Sequence, residues 1–586
     1  MFASPVQLLL SPDAEATWER VMRPWIEARR GRLERAYVVV PTRGQALVWK
    51  QRCVRACLPL LGVEFVVPGL ARRKWLSASG AERPQLGREF LLLGLRGLIE
   101  ERLERGGGPA PAAARDDELA VWRSLRSDPE RALQALDDLL QAGFAASDFP
   151  RPELAELGGE LGRWATRLGY GFGQQQAIAA ALEPLPPDCP PIAQEVLVVG
   201  LGVENTSEFF NVAALLRRAE RATVVLPAPL LRGAAETGDT ERPDEAWVTR
   251  WEKFLGVAAD PLLIEEVEAG ERMEPTPEIL LGADRAAEAE LIVGRVVSWL
   301  RTEGASAPES SGDVGVVFPG PGPLHRLVGA RLRALGVPHH DHVGRSAAAP
   351  VDLLILRGAV AFWAKGGRLD ELLALHPRLR AHNLAGLEAA SGGFRRHVEE
   401  RFQEACDHTL AAALGSEPAP AAGDAVPSAA ASAGERGESR GSAAADLRRL
   451  AAALLPGWPD KVALGPALTR LRQLAAEWGL TLPEGMEALD VFAAREPRVW
   501  PRDLVADTLL GFLPEAIDAQ EPPAHRGFFA PVFLTTRRRA EHAPWSRLIL
   551  TQANAGDWPR RRDPNPWLDD AARRTLNRGG RGVVPM

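Results

Sequence analysis

Lysine and cysteine are scarce in this 586-residue chain, and no apolar run approaches membrane-spanning length. A spanning helix needs roughly 18–20 consecutive apolar residues, so a bilayer-crossing helical bundle is excluded and no membrane partner is expected. The apolar stretch Met1–Leu10 has no basic region before it and no cleavage site after it. It reads as a first strand rather than a signal peptide. The four cysteines, Cys53, Cys57, Cys189 and Cys406, are too few to staple a chain of this size, which points to a reducing cytoplasm. Cys53 and Cys57 stand one helical turn apart without a nearby histidine or second pair, so two half-buried core thiols are expected there rather than a metal site. Only five lysines stand among the 70 basic residues, a bias that reads as the base composition of a GC-rich genome. The formal net charge of −7 gives no global attraction for nucleic acid, so any such contact must be local.

What is present is ordinary globular composition, 46% hydrophobic and 25% charged. At roughly 100–200 residues per domain the length implies about three to five domains. Short β-branched runs ending in turns read as buried parallel strands: Ala36–Val40, Glu195–Val199, Ala222–Leu226, Val314–Phe318 and Arg547–Thr551. Helical patterns follow at Gln45–Leu60, Phe209–Arg218 and Pro323–Leu335. Strand–turn–helix repetition of this kind means α/β structure with parallel sheets and right-handed crossovers. Two helical stretches interrupt it, residues 86–185 and 352–520. The first holds Leu133, Leu136, Leu139 and Leu140 at helical spacing, which reads as core. Within the second, residues 414–445 are rich in Ala, Ser, Gly and Pro, and a disordered loop is expected. The expected layout is a first core over 1–85 and 186–275 and a second over 276–351 and 521–586, each with its helical insertion.

Two segments carry a resemblance. Glu288–Leu300 is a helix with an early Glu, followed by the strand Asp313-Val-Gly-Val-Val-Phe-Pro319 and a helix closing in Gly336-Val-Pro338. Near the end, Pro531-Val-Phe-Leu-Thr-Thr536 leads through Ala540–His542 into Ser546-Arg-Leu-Ile-Leu-Thr551, then Gly556-Asp-Trp-Pro559 and Asp563-Pro-Asn-Pro-Trp-Leu568. In order and spacing this resembles superfamily 1 helicases of the UvrD and RecB type, and most of all the AddB-type subunits of bacterial AddAB helicase–nucleases, a PD-(D/E)XK nuclease family. The resemblance spans about Val6 to Asn577. It implies two RecA-like cores of P-loop-NTPase type, each with a helical insertion.

The same comparison exposes what is missing. An ATPase of this class needs a Gly-rich loop with Lys and Ser/Thr after its first strand, to cradle phosphates and hold magnesium. Here Val6–Leu10 runs into Ser11-Pro-Asp-Ala-Glu-Ala-Thr17, with no Gly, no Lys and two carboxylates. A second strand should end in Asp-Glu, yet Val196–Val199 ends at Gly200, and Glu204 lies four positions on. AddB-like proteins have a similar turn in that place, and Glu204 reads as a turn residue. The family's nuclease module would use an Asp and a Glu-x-Lys pair around a metal, braced by a four-cysteine iron–sulfur staple. The chain given stops at Met586 before any match to it. No catalytic, cofactor-binding or metal-ligating residue is therefore assigned, and ATP and Mg are expected on a partner subunit.

Two places read as DNA contacts. The turn Pro41-Thr42-Arg43-Gly44-Gln45 pairs a hydroxyl and a guanidinium with a helix N-terminus, though Thr42 as a plain helix cap fits equally well. Residues 537–581 hold eleven Arg against five acidic residues, 11 − 5 = +6. Trp558 with Arg560, Arg561 and Arg562 offers stacking and phosphate-binding charge, against the alternative of a buried Trp beside a solvated basic surface. His339, His340 and His342 form a cluster around Asp341, read as solvated loop residues rather than a metal site. The expectation is a non-motor subunit binding single-stranded or forked DNA in double-strand break repair and recombination, beside an AddA-like helicase–nuclease partner in the cytoplasm. Two alternatives stay open: the N-terminal portion of a longer PD-(D/E)XK exonuclease whose catalytic domain lies beyond residue 586, and an α/β interaction scaffold that does not touch DNA.

Overall fold

Most of the β-branched runs pair as parallel strands buried on both faces, where Val, Ile and Leu fill the pleat and crossover helices cover it, while Arg547–Leu550 leaves Leu548 and Leu550 exposed. The computed structural model describes residues 6–79, 84–105, 112–184, 190–229, 243–262, 277–303, 314–402, 408–415, 434–519, 530–541, 543–554 and 565–578. They divide into two units. The first comprises Met1–Gln85, Glu130–Arg345 and Ala519–Met586, and the second Leu86–Pro129 and Ser346–Asp518.

The first unit holds two sheets. One has six strands, β1 (Val6–Ser11), β2 (Ala36–Val39), β3 (Val63–Val66), β4 (Ala193–Val199), β5 (Ala219–Pro227) and β6 (Asp260–Pro261), in the order β3-β2-β4-β5-β1-β6. Every pairing is parallel, with Val38 beside Leu197 and Leu8 beside Val224. Strand β3 went unread in the sequence because it is four residues long and carries Glu64.

Alternate residues of these strands feed two cores. On one face Val38, Val40, Leu197 and Val199 pack with Trp18, Met22 and Ile26 of helix α1 (residues 14–27, with a π turn at Trp18–Met22) and with Trp49 and Cys53 of helix α2 (Arg43–Arg55). On the other face Tyr37, Val39, Val196 and Val198 meet Trp75, Phe209, Trp247 and Trp251 from the helices Pro68–Ser79, Phe209–Leu216 and Pro243–Leu255. Full burial of a large apolar side chain contributes roughly 1.5–3 kcal/mol, so these two layers contribute heavily to the unit's stability. Helices α3 (Pro129–Gln141) and α4 (Pro152–Arg167) belong to the insertion between β3 and β4. There Leu133, Leu136 and Leu139 are buried as expected, while Leu140 is half-buried.

The second sheet has four parallel strands: β7 (Val314–Phe318), β8 (His339–Asp341), β9 (Val532–Thr536) and β10 (Arg547–Leu550). Their order is β10-β7-β9-β8. Helices α5 (Arg285–Glu303) and α6 (Pro323–Ala334) cover one face with Ile292, Val296, Leu324 and Val328. The segments that carry the resemblance meet here. The early Glu of α5, Glu288, accepts a hydrogen bond from the Gln552 N–H just past β10 at 3.2 Å.

The second unit is largely helical. Its two chain segments are joined by packing such as Phe90 on Phe492, with ring centroids 4.1 Å apart, and by the Arg96–Asp507 ion pair. The insertion expected over 86–185 is therefore divided, its first part packing with the later helices and its second part staying with the first unit. The wholly buried Asp446 accepts hydrogen bonds from the N–H groups of Glu388 and Ala389 and lies 3.3 Å from Nε2 of His376. That imidazole stacks on Phe394 at 3.9 Å, and burial lowers its pKa. Helix Gly434–Leu454 corrects the loop expected over 414–445: from 434 onward the chain is helical, since Ala, whatever its smallness, is the strongest helix former. Residues 416–433 of that loop lie outside the described residues.

Candidate functional site at the carboxyl ends of the strands

In open parallel sheets, ligand-binding loops gather at the carboxyl ends of the strands. Three loops of the six-stranded sheet emerge there: residues 11–14 after β1, 40–43 after β2, and 200–208 after β4.

The first loop closes on itself. Asp13 is the N-cap of α1, and its carboxylate accepts the Ala16 N–H at 2.7 Å. Ser11 Oγ donates to the Asp13 carbonyl at 2.8 Å, and Thr17 Oγ1 sits 2.8 Å from Ser11 Oγ. A helix N-terminus after a first strand is where an ATPase binds phosphate through backbone amides. Here the Asp13 carboxylate already takes one of those donors, the Ala16 N–H, and Glu15 adds a second negative charge, paired with Arg52.

The β4 turn closes similarly. Gly200 holds φ +72°, a conformation that favours glycine, and the turn continues into the short 3₁₀ segment Val203–Glu208. Glu204 folds back over Gly202, where a Cβ would collide with its carboxylate, and accepts from Asn205 Nδ2 at 2.6 Å. Trp247 Nε1 donates to the Leu201 carbonyl at 2.9 Å. Glu204 is thus a turn residue tied to its neighbour.

The β2 turn carries Thr42 and Arg43. Thr42 caps α2 through a complete capping box: its Oγ1 accepts the Gln45 N–H at 3.2 Å, and Gln45 Oε1 accepts the Thr42 N–H at 3.0 Å. The Thr42 hydroxyl is therefore engaged in the helix cap, while Arg43 is exposed beside it. Trp558, Arg560, Arg561 and Arg562 lie outside the described residues. Among the proposed contacts, the structure thus places only Thr42 and Arg43.

The histidine cluster is where the sequence reading needs correction. His339–Asp341 is strand β8, not a loop. Strand alternation sends its side chains to opposite faces. Asp341 turns to the buried His325, whose Nε2 lies 2.9 Å from both carboxylate oxygens. Burial pushes the Asp341 pKa upward, but the His325 hydrogen bond and charge and the Val343 and Gly344 amides outweigh it, and the net shift is down. His340 and His342 lie on the other face, their rings 5.0 and 5.6 Å from Phe533 of β9. Burial, with the nearby charges of His340 and Arg539, pulls His342 down to about 4.

That imidazole layer meets α2. Gln51 Nε2 is 3.1 Å from His340 Nε2, Gln45 Nε2 donates to the Glu541 carbonyl, and a Cβ at Gly44 would stand 2.8 Å from His342 Nδ1. A period-two reading of His340-Asp-His342 would have found the strand, because two like residues then share a face.

The cysteines also depart from expectation. Cys53 is fully buried, while Cys57 lies beyond the end of α2 at φ +54° and is exposed. The helix stops before the turn that would align them.

A scan of the chain against protein-family models and a search of curated proteins return no match.

Proposed function

We propose that the chain is the non-motor, DNA-binding subunit of an AddAB-like helicase–nuclease acting in double-strand break repair and recombination. In this reading the two sheets are RecA-like cores that have lost ATP chemistry. The observation that carries it is the Asp13 carboxylate capping α1 through the Ala16 N–H, at the place where a motor would bind phosphate. The order of the six-stranded sheet supports it, since the loops after β1, β2 and β4 open on one carboxyl edge, as nucleotide- and strand-binding loops do. Gly200 in place of a metal-binding acid supports it from the second loop. An AddA-like partner then supplies ATP hydrolysis and magnesium, while this chain holds DNA through Arg43 and the arginine-rich segment near Arg560–Arg562.

The reading is tested by fluorescence anisotropy of labelled single-stranded and forked DNA with the purified chain, with and without MgATP. Binding that MgATP leaves unshifted, with no ATP turnover, is expected. ATP turnover contradicts the loss of motor chemistry, and no binding to either DNA contradicts the DNA role.

A further inference from the structure

Helix α2 is buried on two opposite sides. Ala46, Trp49 and Cys53, at i, i+3 and i+7, belong to the core of the six-stranded sheet. Gly44, Val48 and Gln51, at i, i+4 and i+7, lie on the opposite flank. Val48 and Gln51 are 1% and 2% exposed, and neither belongs to that sheet's two cores. On this flank Gly44 meets His342, just past β8, Gln51 meets His340 of β8, and Gln45 ties the start of the helix to the Glu541 carbonyl. One helix therefore forms a covering layer for both sheets.

A second tie lies far from the first in sequence. After β10 the chain returns to the insertion that follows β3. Asn565 Nδ2 donates to the Arg131 carbonyl at 2.9 Å, and Arg151 donates to the Pro566 carbonyl at 3.1 Å with its guanidinium over Trp567. Arg573 pairs with Asp138 of α3 at 2.8 Å, with side chains 8% and 18% exposed. Trp567 and Leu568 are buried in the same contact. Breaking a buried or half-buried pair of this kind leaves a charge unpaired in a poorly solvated site, which resists opening.

We infer that the two sheets of this unit are locked as one body, by the shared helix α2 and by the strap 565–577, and do not open and close over their carboxyl edges. A motor of this architecture needs such movement to couple nucleotide turnover to translocation. This chain forgoes it and presents a fixed surface. The inference rests on these contacts and is independent of whether DNA is the ligand.

The test is a distance distribution between the sheets by pulsed electron spin resonance on the full chain. Spin labels go on Leu61→Cys, at the amino edge of the first sheet, and Leu335→Cys, at the end of α6, with Cys57, Cys189 and Cys406 changed to Ser. Both sites are well exposed, at 72% and 61%. One narrow distribution, unchanged by MgATP or by single-stranded DNA, is expected, and it broadens when Gln51→Ala and Arg573→Ala are combined. A broad or two-peaked distribution in the unmodified background overturns the lock, as does a shift on adding MgATP. An unchanged narrow distribution in the combined variant overturns the role of these contacts. Because DNA binding is measured separately, failure of the lock and failure of the DNA role are distinguishable.

Discussion

The carboxylate of Asp13 accepts the backbone N–H of Ala16 at 2.7 Å, so the chain supplies its own anion to the helix that follows its first strand. Replacing Asp13 by Ala removes a side-chain cap, and caps of this kind contribute about 1 kcal/mol. Asp13→Ala is expected to lower the urea midpoint accordingly, while Asp13→Asn, which retains the cap acceptor, stays close to the parent. Neither variant is expected to gain MgATP binding, because the loop holds no lysine to neutralise phosphate. Equal midpoints for the Ala variant and the parent contradict the capping role.

Acid is expected to destabilise the first unit through His342. Its folded pKa of about 4 lies below the usual histidine value of about 6.5, so between those limits the unfolded chain binds the extra proton. Stability present above pH ~6.5 is lost as pH falls toward ~4. His376, lowered by burial in the second unit, acts with the same sign. Urea midpoints taken from pH 7.5 to 4.5 are expected to fall, and less steeply in His342→Ala than in the parent. A parent midpoint independent of pH contradicts the assignment.

Cys53 and Cys57 are expected to differ in reactivity. Burial raises the Cys53 thiol to about 12 and hides it from solvent, whereas Cys57 is exposed beyond the helix end. Brief alkylation of the native chain followed by peptide mass spectrometry is expected to modify Cys57 and spare Cys53 until denaturant is added. Equal labelling of both contradicts the packing of α2 against the first sheet.

In the second unit, Gly97 sits midway along the helix Arg88–Arg105 with the buried Trp500 directly over its Cα. A methyl group there must displace the indole. Overpacking of this kind costs about 1–3 kcal/mol, which exceeds the ~1 kcal/mol that alanine returns in helix propensity. Gly97→Ala is expected to lower thermal stability and alter tryptophan emission; a rise in melting temperature contradicts that contact.

The strands were legible wherever a β-branched run was long and ended in Gly or Pro, as at Ala36–Val39 and Val314–Phe318. β3 and β8 were not. Glu64 and the His-His-Asp triplet interrupt the apolar pattern, and pairing with neighbouring strands sets their conformation instead. Helix α2 was placed, but its second buried flank was hidden. Gln45 and Gln51 are polar, and hydrogen bonds to Glu541 and His340, 496 and 289 residues away, help make their burial tolerable. That the first loop, Ser11 to Thr17, holds no glycine and no lysine was legible in the sequence. That the Asp13 carboxylate takes the Ala16 N–H required the structure.

The most direct test of the DNA role is the salt dependence of single-stranded DNA binding by the full chain, beside a variant with Arg560, Arg561 and Arg562 changed to Ala. Each phosphate contact on single strands contributes about 0.7 to the slope of log affinity against log salt, so losing three reduces it by about 2. Salt-sensitive binding whose slope falls by that amount in the variant is the result the account predicts. No binding at low salt contradicts a DNA-holding subunit, and an unchanged slope removes these arginines from the contact.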